Sequence, residues 1–112
     1  MKKVEIITPN GHLTEVHAVL RDMNVRGMSH YPIEGAGRIK AEPVVESTHP
    51  TAMPEYIMRH KVEVVVRDTQ VEPLIKKIEE KFRDDPQGGK IFVMDVPLAV
   101  DISSDARGES AI

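Results

Sequence analysis

Cysteine is absent from the chain, and with it go disulfide frameworks, thiolate zinc sites, iron–sulfur clusters and cysteine nucleophiles. Tryptophan is absent as well, and the aromatics amount to two tyrosines and two phenylalanines, so a core has to be aliphatic. There is no long apolar run. The opening Met1-Lys2-Lys3-Val4-Glu5-Ile6-Ile7 is interrupted by charge and soon meets Pro9, so neither a signal peptide nor a membrane span is expected there, and the location expected is cytoplasmic. An excess of positive charge is also missing: 15 Lys and Arg against 18 Asp and Glu leave a net charge of −3, which speaks against nucleic acid as a partner. What remains is 112 residues, 40% apolar and 29% charged, the composition of one compact domain over residues 1–112.

The β-branched run at Val4, Ile6 and Ile7 predicts a first strand that stops at Pro9-Asn10-Gly11. Leu13, Val16, Leu20 and Met23 then recur at helical spacing, predicting a helix over roughly residues 12–24. Gly27 to Glu34 alternates imperfectly and ends in Gly35-Ala36-Gly37, the pattern of a second strand. From Arg38 to Tyr56 no period survives among Pro43, Pro50 and Pro54. A segment that long without a period, inside a small domain, is the kind that carries function or disorder.

Lys61 to Val66 is the clearest strand in the sequence. It leads into a helix whose capping box is expected at Thr69 and Glu72, with Pro73 in the first turn and an apolar stripe at Val71, Leu74, Ile75, Ile78 and Phe82. Asp84 to Gly89 closes that helix, and Lys90 to Val96 reads as the last strand. The tail over residues 97–112 is thin in apolar residues and is expected to be mobile unless a partner subunit holds it. The order β-α-β, long loop, β-α-β predicts an α+β, ferredoxin-like split βαβ fold (βαββαβ) with both helices on one face of an antiparallel sheet. Val64, Val66, Phe92 and Met94 supply apolar side chains of both parities, so the uncovered face is expected to be buried by self-association.

Three stretches in order carry a resemblance: Arg26-Gly27-Met28-Ser29 followed by Gly35-Ala36-Gly37-Arg38-Ile39-Lys40, then His60 to Val66, then Gly89-Lys90-Ile91-Phe92-Val93-Met94-Asp95-Val96. Together they resemble the P-II signal-transduction proteins, regulators of nitrogen utilization. The resemblance implies a homotrimer with adenine nucleotides in the clefts between subunits. It implies that Gly27, Met28, Ser29, Val64 and Val65 lie near the base, and that Gly35, Ala36, Gly37 and Arg38, with Gly88, Gly89 and Lys90, face the phosphates. The segment 38–56 corresponds to the T-loop, the arm through which such proteins reach a membrane transporter or a metabolic enzyme. The residues agree in one respect, since paired glycines expose N–H groups to phosphate and Lys90 adds a point charge.

The sequence also departs from the family pattern. The arm lacks the Tyr-Arg-Gly-Ala-Glu-Tyr run that accepts a nucleotidyl group, although Ser47, Thr48 and Thr51 are candidates for other modification. The glutamine that helps to hold magnesium and 2-oxoglutarate falls at Ile39, and the lysine that pairs with 2-oxoglutarate falls at Arg59. Two arginines that meet the distal phosphates of ATP fall at Asp101 and Ser103, so ADP or AMP is expected to be favoured over ATP. These departures resemble a divergent branch linked to inorganic carbon, in which a small anion such as bicarbonate is an effector. Arg38, Lys40 and Arg59, beside Lys90, are the residues expected to hold it. Histidines 12, 17, 30, 49 and 60 show no ligand spacing, so no metal is expected, and no nucleophile and base pair points to an enzyme. The alternative from another class is a ferredoxin-fold trimer of the CutA kind with a metal-tolerance or enzymatic role.

Overall fold

The structure is a computed structural model, and it describes residues 1–9, 11–36 and 56–112. The elements follow the order β1 (Lys2–Pro9), α1 (Leu13–Asp22), β2 (Ser29–Ala36), β3 (Tyr56–Val66), α2 (Asp68–Phe82) and β4 (Lys90–Asp95). They form a four-stranded antiparallel sheet in the order β2-β3-β1-β4. This is the βαββαβ arrangement that the periodicities predict. The expectations for Gly37, Arg38, Ile39 and Lys40, and for the arm as far as residue 55, lie outside the described residues.

Strand alternation decides which residues the helices cover. Val4 and Ile6 on β1, with Val62, Val64 and Val66 on β3, point one way and pack against Val16, Val19 and Leu20 of α1 and Leu74 and Ile78 of α2. The opposite parity faces away from the helices: Lys3, Glu5 and Ile7 on β1, Lys61, Glu63 and Val65 on β3, and Lys90, Phe92 and Met94 on β4. Val64 and Val66 therefore belong to the core, and Phe92 and Met94 belong to the uncovered face. Phe92 is 47% exposed and Met94 38%.

The uncovered face carries a charged centre that the apolar count did not anticipate. Lys3 pairs with Glu5 (3.3 Å) and Glu63 (3.5 Å), Lys61 pairs with Glu5 (3.2 Å), and Tyr31 donates to Glu63 at 3.0 Å. Desolvation pushes the Glu5 carboxyl up, but hydrogen bonds from Lys61 and Lys3 outweigh it and hold the group below its ordinary value. A depressed carboxylate stabilises the fold above its unfolded pKa and loses that contribution as pH falls through the folded value. Glu5→Gln is therefore expected to narrow the difference in melting midpoint between neutral pH and about pH 3, as read by thermal melts at both.

Three local boundaries differ from the sequence expectation. Helix α1 ends earlier, at Asp22, because Asn24 takes a left-handed φ of 58°, with Val25 N–H donating to Leu20 O and Asn24 N–H to Arg21 O. Helix α2 begins before Thr69: the Gln70 side-chain oxygen accepts from Arg67 N–H at 3.0 Å, which displaces the expected Thr69 and Glu72 box and puts Pro73 in the second turn. The tail, expected to be mobile unless a partner subunit holds it, makes local structure of its own. Val100 bridges Arg107, and Gly108–Ala111 forms a short 3₁₀ turn, with positive φ at Asp105 and Gly108 making the reversal.

Candidate functional site

The expected site residues that are described gather at two ends of the sheet, one beside the start of β2 and the other between the start of β4 and the end of α2. At the first end, Gly27, Met28, Ser29, Val64 and Val65 line a cavity of about 540 Å³ together with Lys3, Arg26, Glu63, Asp101 and Ser110 to Ile112. The chain reaches this place because α1 ends at Asp22, Asn24 turns the backbone with its left-handed φ, and residues 25–28 lead directly into β2. Among the described residues nothing demands glycine at 27, since a Cβ there would meet none of their atoms within 4 Å. Val64 is only 3% exposed, so its side chain belongs to the core, and its backbone is what the cavity wall can offer.

Sequence reasoning did not place the C-terminal residues here. Their arrival depends on the turn at Asp101, whose Oδ1 accepts from Ser103 Oγ (2.8 Å), Ser103 N–H (2.9 Å) and Ser104 N–H (3.1 Å). The Ser103 hydroxyl and these amides hold the Asp101 carboxyl below its ordinary value, so the first cavity has a fixed negative charge on its wall. The Asp-x-Ser-Ser string was the available signal for that turn.

At the second end the sequence Asp85-Pro86-Gln87-Gly88 makes a turn closed by Gly88 N–H donating to Asp85 O at 3.0 Å. Proline presets φ at the second position, and Gly88 takes the positive φ of 61°. The turn delivers Gly88, Gly89 and Lys90 to a groove of about 500 Å³ shared with Ile7, Thr8, Phe82 and Arg83. Arg59 comes to the same loop from β3, with its Nη2 donating to Gln87 O at 2.9 Å. Gly35 lies beside it, since a Cβ at 35 would stand 3.9 Å from Arg59 Cδ. Among the described residues Ala36 and Tyr56 are the last pair of β2 with β3, and they stand at this same end of the sheet.

Along β3, Arg59 and Val65 are separated by about 20 Å at the usual rise per residue. Gly27, Met28 and Ser29 are thus brought together with Val65, and Gly35 and Arg59 with Gly88 to Lys90, but one copy of the chain does not unite the two sets. Among the described residues no cluster of three His, Asp or Glu is placed to hold a metal ion. No described helix is long and apolar enough to cross a membrane.

Comparison with known proteins decides what this arrangement belongs to. The family described as nitrogen regulatory protein P-II matches residues 1–106. This chain belongs to the P-II family. Among curated relatives, the nitrogen regulatory proteins P-II of Pasteurella multocida and Cereibacter sphaeroides are 34% and 33% identical, each aligned over the full length of both chains. Among solved structures, Arabidopsis thaliana PII bound to citrate superposes with a TM-score of 0.77 at 28% identity, covering 99% of this chain and 91% of that one. The P-II chain is therefore a regulatory, signal-transducing protein with the ferredoxin-like fold of its relatives. The CutA-like alternative is not favoured.

Proposed function

We propose that this P-II chain assembles as a homotrimer that binds ADP or AMP in the clefts between protomers and passes the bound state to a partner protein through the arm at residues 38–56. The observation that carries the reading is the separation of the candidate residues. A base held at Gly27, Met28, Ser29 and Val65 and phosphates held at Gly88, Gly89 and Lys90 fit one small ligand only if two protomers supply the two halves. The half-exposed Phe92, Met94 and Tyr31 support burial of that sheet face against further copies. Gly35, Ala36, Gly37 and Arg38 belong in this proposal to the phosphate side, at the root of the arm.

A small anion such as bicarbonate is the proposed second effector, held by Arg38, Lys40 and Arg59. Support comes from Arg59, whose guanidinium spends one donor on Gln87 O and, among the described residues, makes no other hydrogen bond. The Arabidopsis relative was solved with citrate, itself an anion. The partner is a membrane transporter or a metabolic enzyme, and the chain acts as a non-enzymatic regulator in the cytoplasm. The mechanism is differential binding: a ligand that contacts Arg38 and Lys90 only when the arm is folded back shifts the arm toward that position.

Calorimetric titration with AMP, ADP and ATP, combined with sedimentation, tests the reading. The particle is expected to sediment as three copies and to bind ADP or AMP more tightly than ATP. Asp101→Asn, which removes the charge but keeps the oxygen that accepts from Ser103, is expected to raise ATP affinity about threefold or more relative to AMP. Sedimentation as single copies, or no heat with any nucleotide, overturns the proposal. ATP as the clearly tightest ligand overturns the charge argument from Asp101.

A further inference from the structure

Two carboxylates face one imidazole where the β1–α1 turn meets the loop that carries Gly88, Gly89 and Lys90. His12 Nδ1 is 3.1 Å from Glu15 Oε1, and its Nε2 is 3.2 Å from Asp85 Oδ2. Phe82 stands edge-on to the ring, with centroids 5.2 Å apart. A neutral imidazole has a single N–H, so it can donate to one of these carboxylates and must turn a lone pair toward the other. The imidazolium donates to both. Among the described residues the charged groups within ion-pair distance of the ring are Glu15 on α1 and Asp85 on the α2–β4 loop, and α2 presents the uncharged Phe82 ring.

Asp85 extends this contact into the candidate site. Its Oδ1 accepts from Gln87 N–H at 2.8 Å, its carbonyl accepts from Gly88 N–H at 3.0 Å, and Gln87 O accepts from Arg59 Nη2 at 2.9 Å. A continuous polar line thus runs from Glu15 through His12, Asp85 and Gln87 to Arg59. It joins the start of α1, the glycine loop and the root of the β2–β3 hairpin. We propose that His12 is a positioning residue, a proton-dependent latch that holds the Gln87 to Lys90 loop and Arg59 ready for the ligand's phosphates.

The sign follows from the donor count. The latch is complete with the ring protonated, and a loop already in place loses less freedom when ligand binds, so affinity is highest at low pH. As pH rises the ring loses a proton, one carboxylate loses its donor, and affinity falls. By linkage, ligand binding then draws a proton onto the protein. The inference rests on the adenylate reading for its ligand, but the latch itself can be read in the ligand-free protein.

The experiment uses the full chain and two variants: His12→Gln, which cannot titrate, and His12→Arg, which keeps a permanent charge with several donors. Wild-type ADP affinity is expected to fall roughly fivefold between about pH 6 and pH 8, the scale of one interaction with an ionised partner. His12→Arg is expected to hold its affinity over that range, and His12→Gln to be weak at both ends. The phosphate of ADP also titrates, so an equal slope in wild type and His12→Gln overturns the proposal. Amide hydrogen exchange at Gln87 and Gly88 without ligand, corrected for intrinsic pH dependence, is expected to be slower at the lower pH in wild type and fast at both in His12→Gln. Identical protection in the two proteins overturns the latch. Protection that differs as expected, with no nucleotide bound at any pH, supports the latch and removes the adenylate reading alone.

Discussion

Lys90→Glu is expected to lower ADP affinity about a hundredfold, since losing an attraction and gaining a repulsion near the phosphates each cost on the order of 1.4 kcal/mol after solvent screening. Lys90 is exposed at the first position of β4, opposite Ile7, on the uncovered sheet face. It has no ion-pair partner among the described residues, so its charge is available to a ligand. Lys90→Met, which keeps the aliphatic stem, is expected to lose about tenfold, or one such step. Titration calorimetry at low and high salt checks both: the gap between wild type and Lys90→Glu closes as salt rises. Neither change touches the core, so melting midpoints without ligand stay within about 2 °C of wild type. An unchanged affinity in Lys90→Glu means that the phosphates bind elsewhere.

The largest expected effect on stability comes from Leu74→Ala. Leu74 is fully buried, at 0% exposure, in the cluster that α2 closes over Val4, Ile6 and Val64. Removing its isobutyl group loses burial and leaves a cavity, a cost of about 2–5 kcal/mol. Against the roughly 5–15 kcal/mol total of an ordinary domain, that is a large fraction. A fall of roughly 10–20 °C in melting midpoint is expected, measured at fixed protein concentration because assembly also shifts the midpoint. A midpoint within a few degrees of wild type contradicts the placement of α2 on the sheet.

Much of the fold was legible because its elements are strongly periodic. Lys61 to Val66 and the Leu74, Ile78 stripe each bury one parity or one helical face, and those signals survive without context. The start of β3 was not legible. Ile57, Met58, Arg59 and His60 show no alternation of apolar and polar residues, and what holds them in the sheet is backbone pairing with β2. The start of α2 was misplaced for a related reason, since Thr69 and Glu72 have capping spacing but the backbone turns into the helix two residues earlier, where Gln70 serves the purpose.

The site divides in the same way. Glycines at 27, 35 and 88 stand out in a sequence, and so does Lys90 beside a glycine pair. The C-terminal wall of the first cavity does not, because it depends on a reversal made by Val100 and Arg107 together with the Asp101 turn. The His12 and Asp85 contact is harder still. It joins residues from opposite halves of the chain, and no local pattern links them.

Ala36 pairs with Tyr56, so the two ends of the stretch between them stand side by side at one doorway. Register is fixed below that doorway by the pairs from Ser29 with Glu63 upward, and the free energy of closing a loop grows only slowly with its length. The intervening residues can therefore be shortened, lengthened or swapped wholesale while the scaffold stays intact. Under the proposed reading of that stretch as the partner-facing arm, a lineage built on this frame changes its client by rewriting a single stretch of gene, and a chimaera carrying another relative's stretch is expected to fold as the parent does.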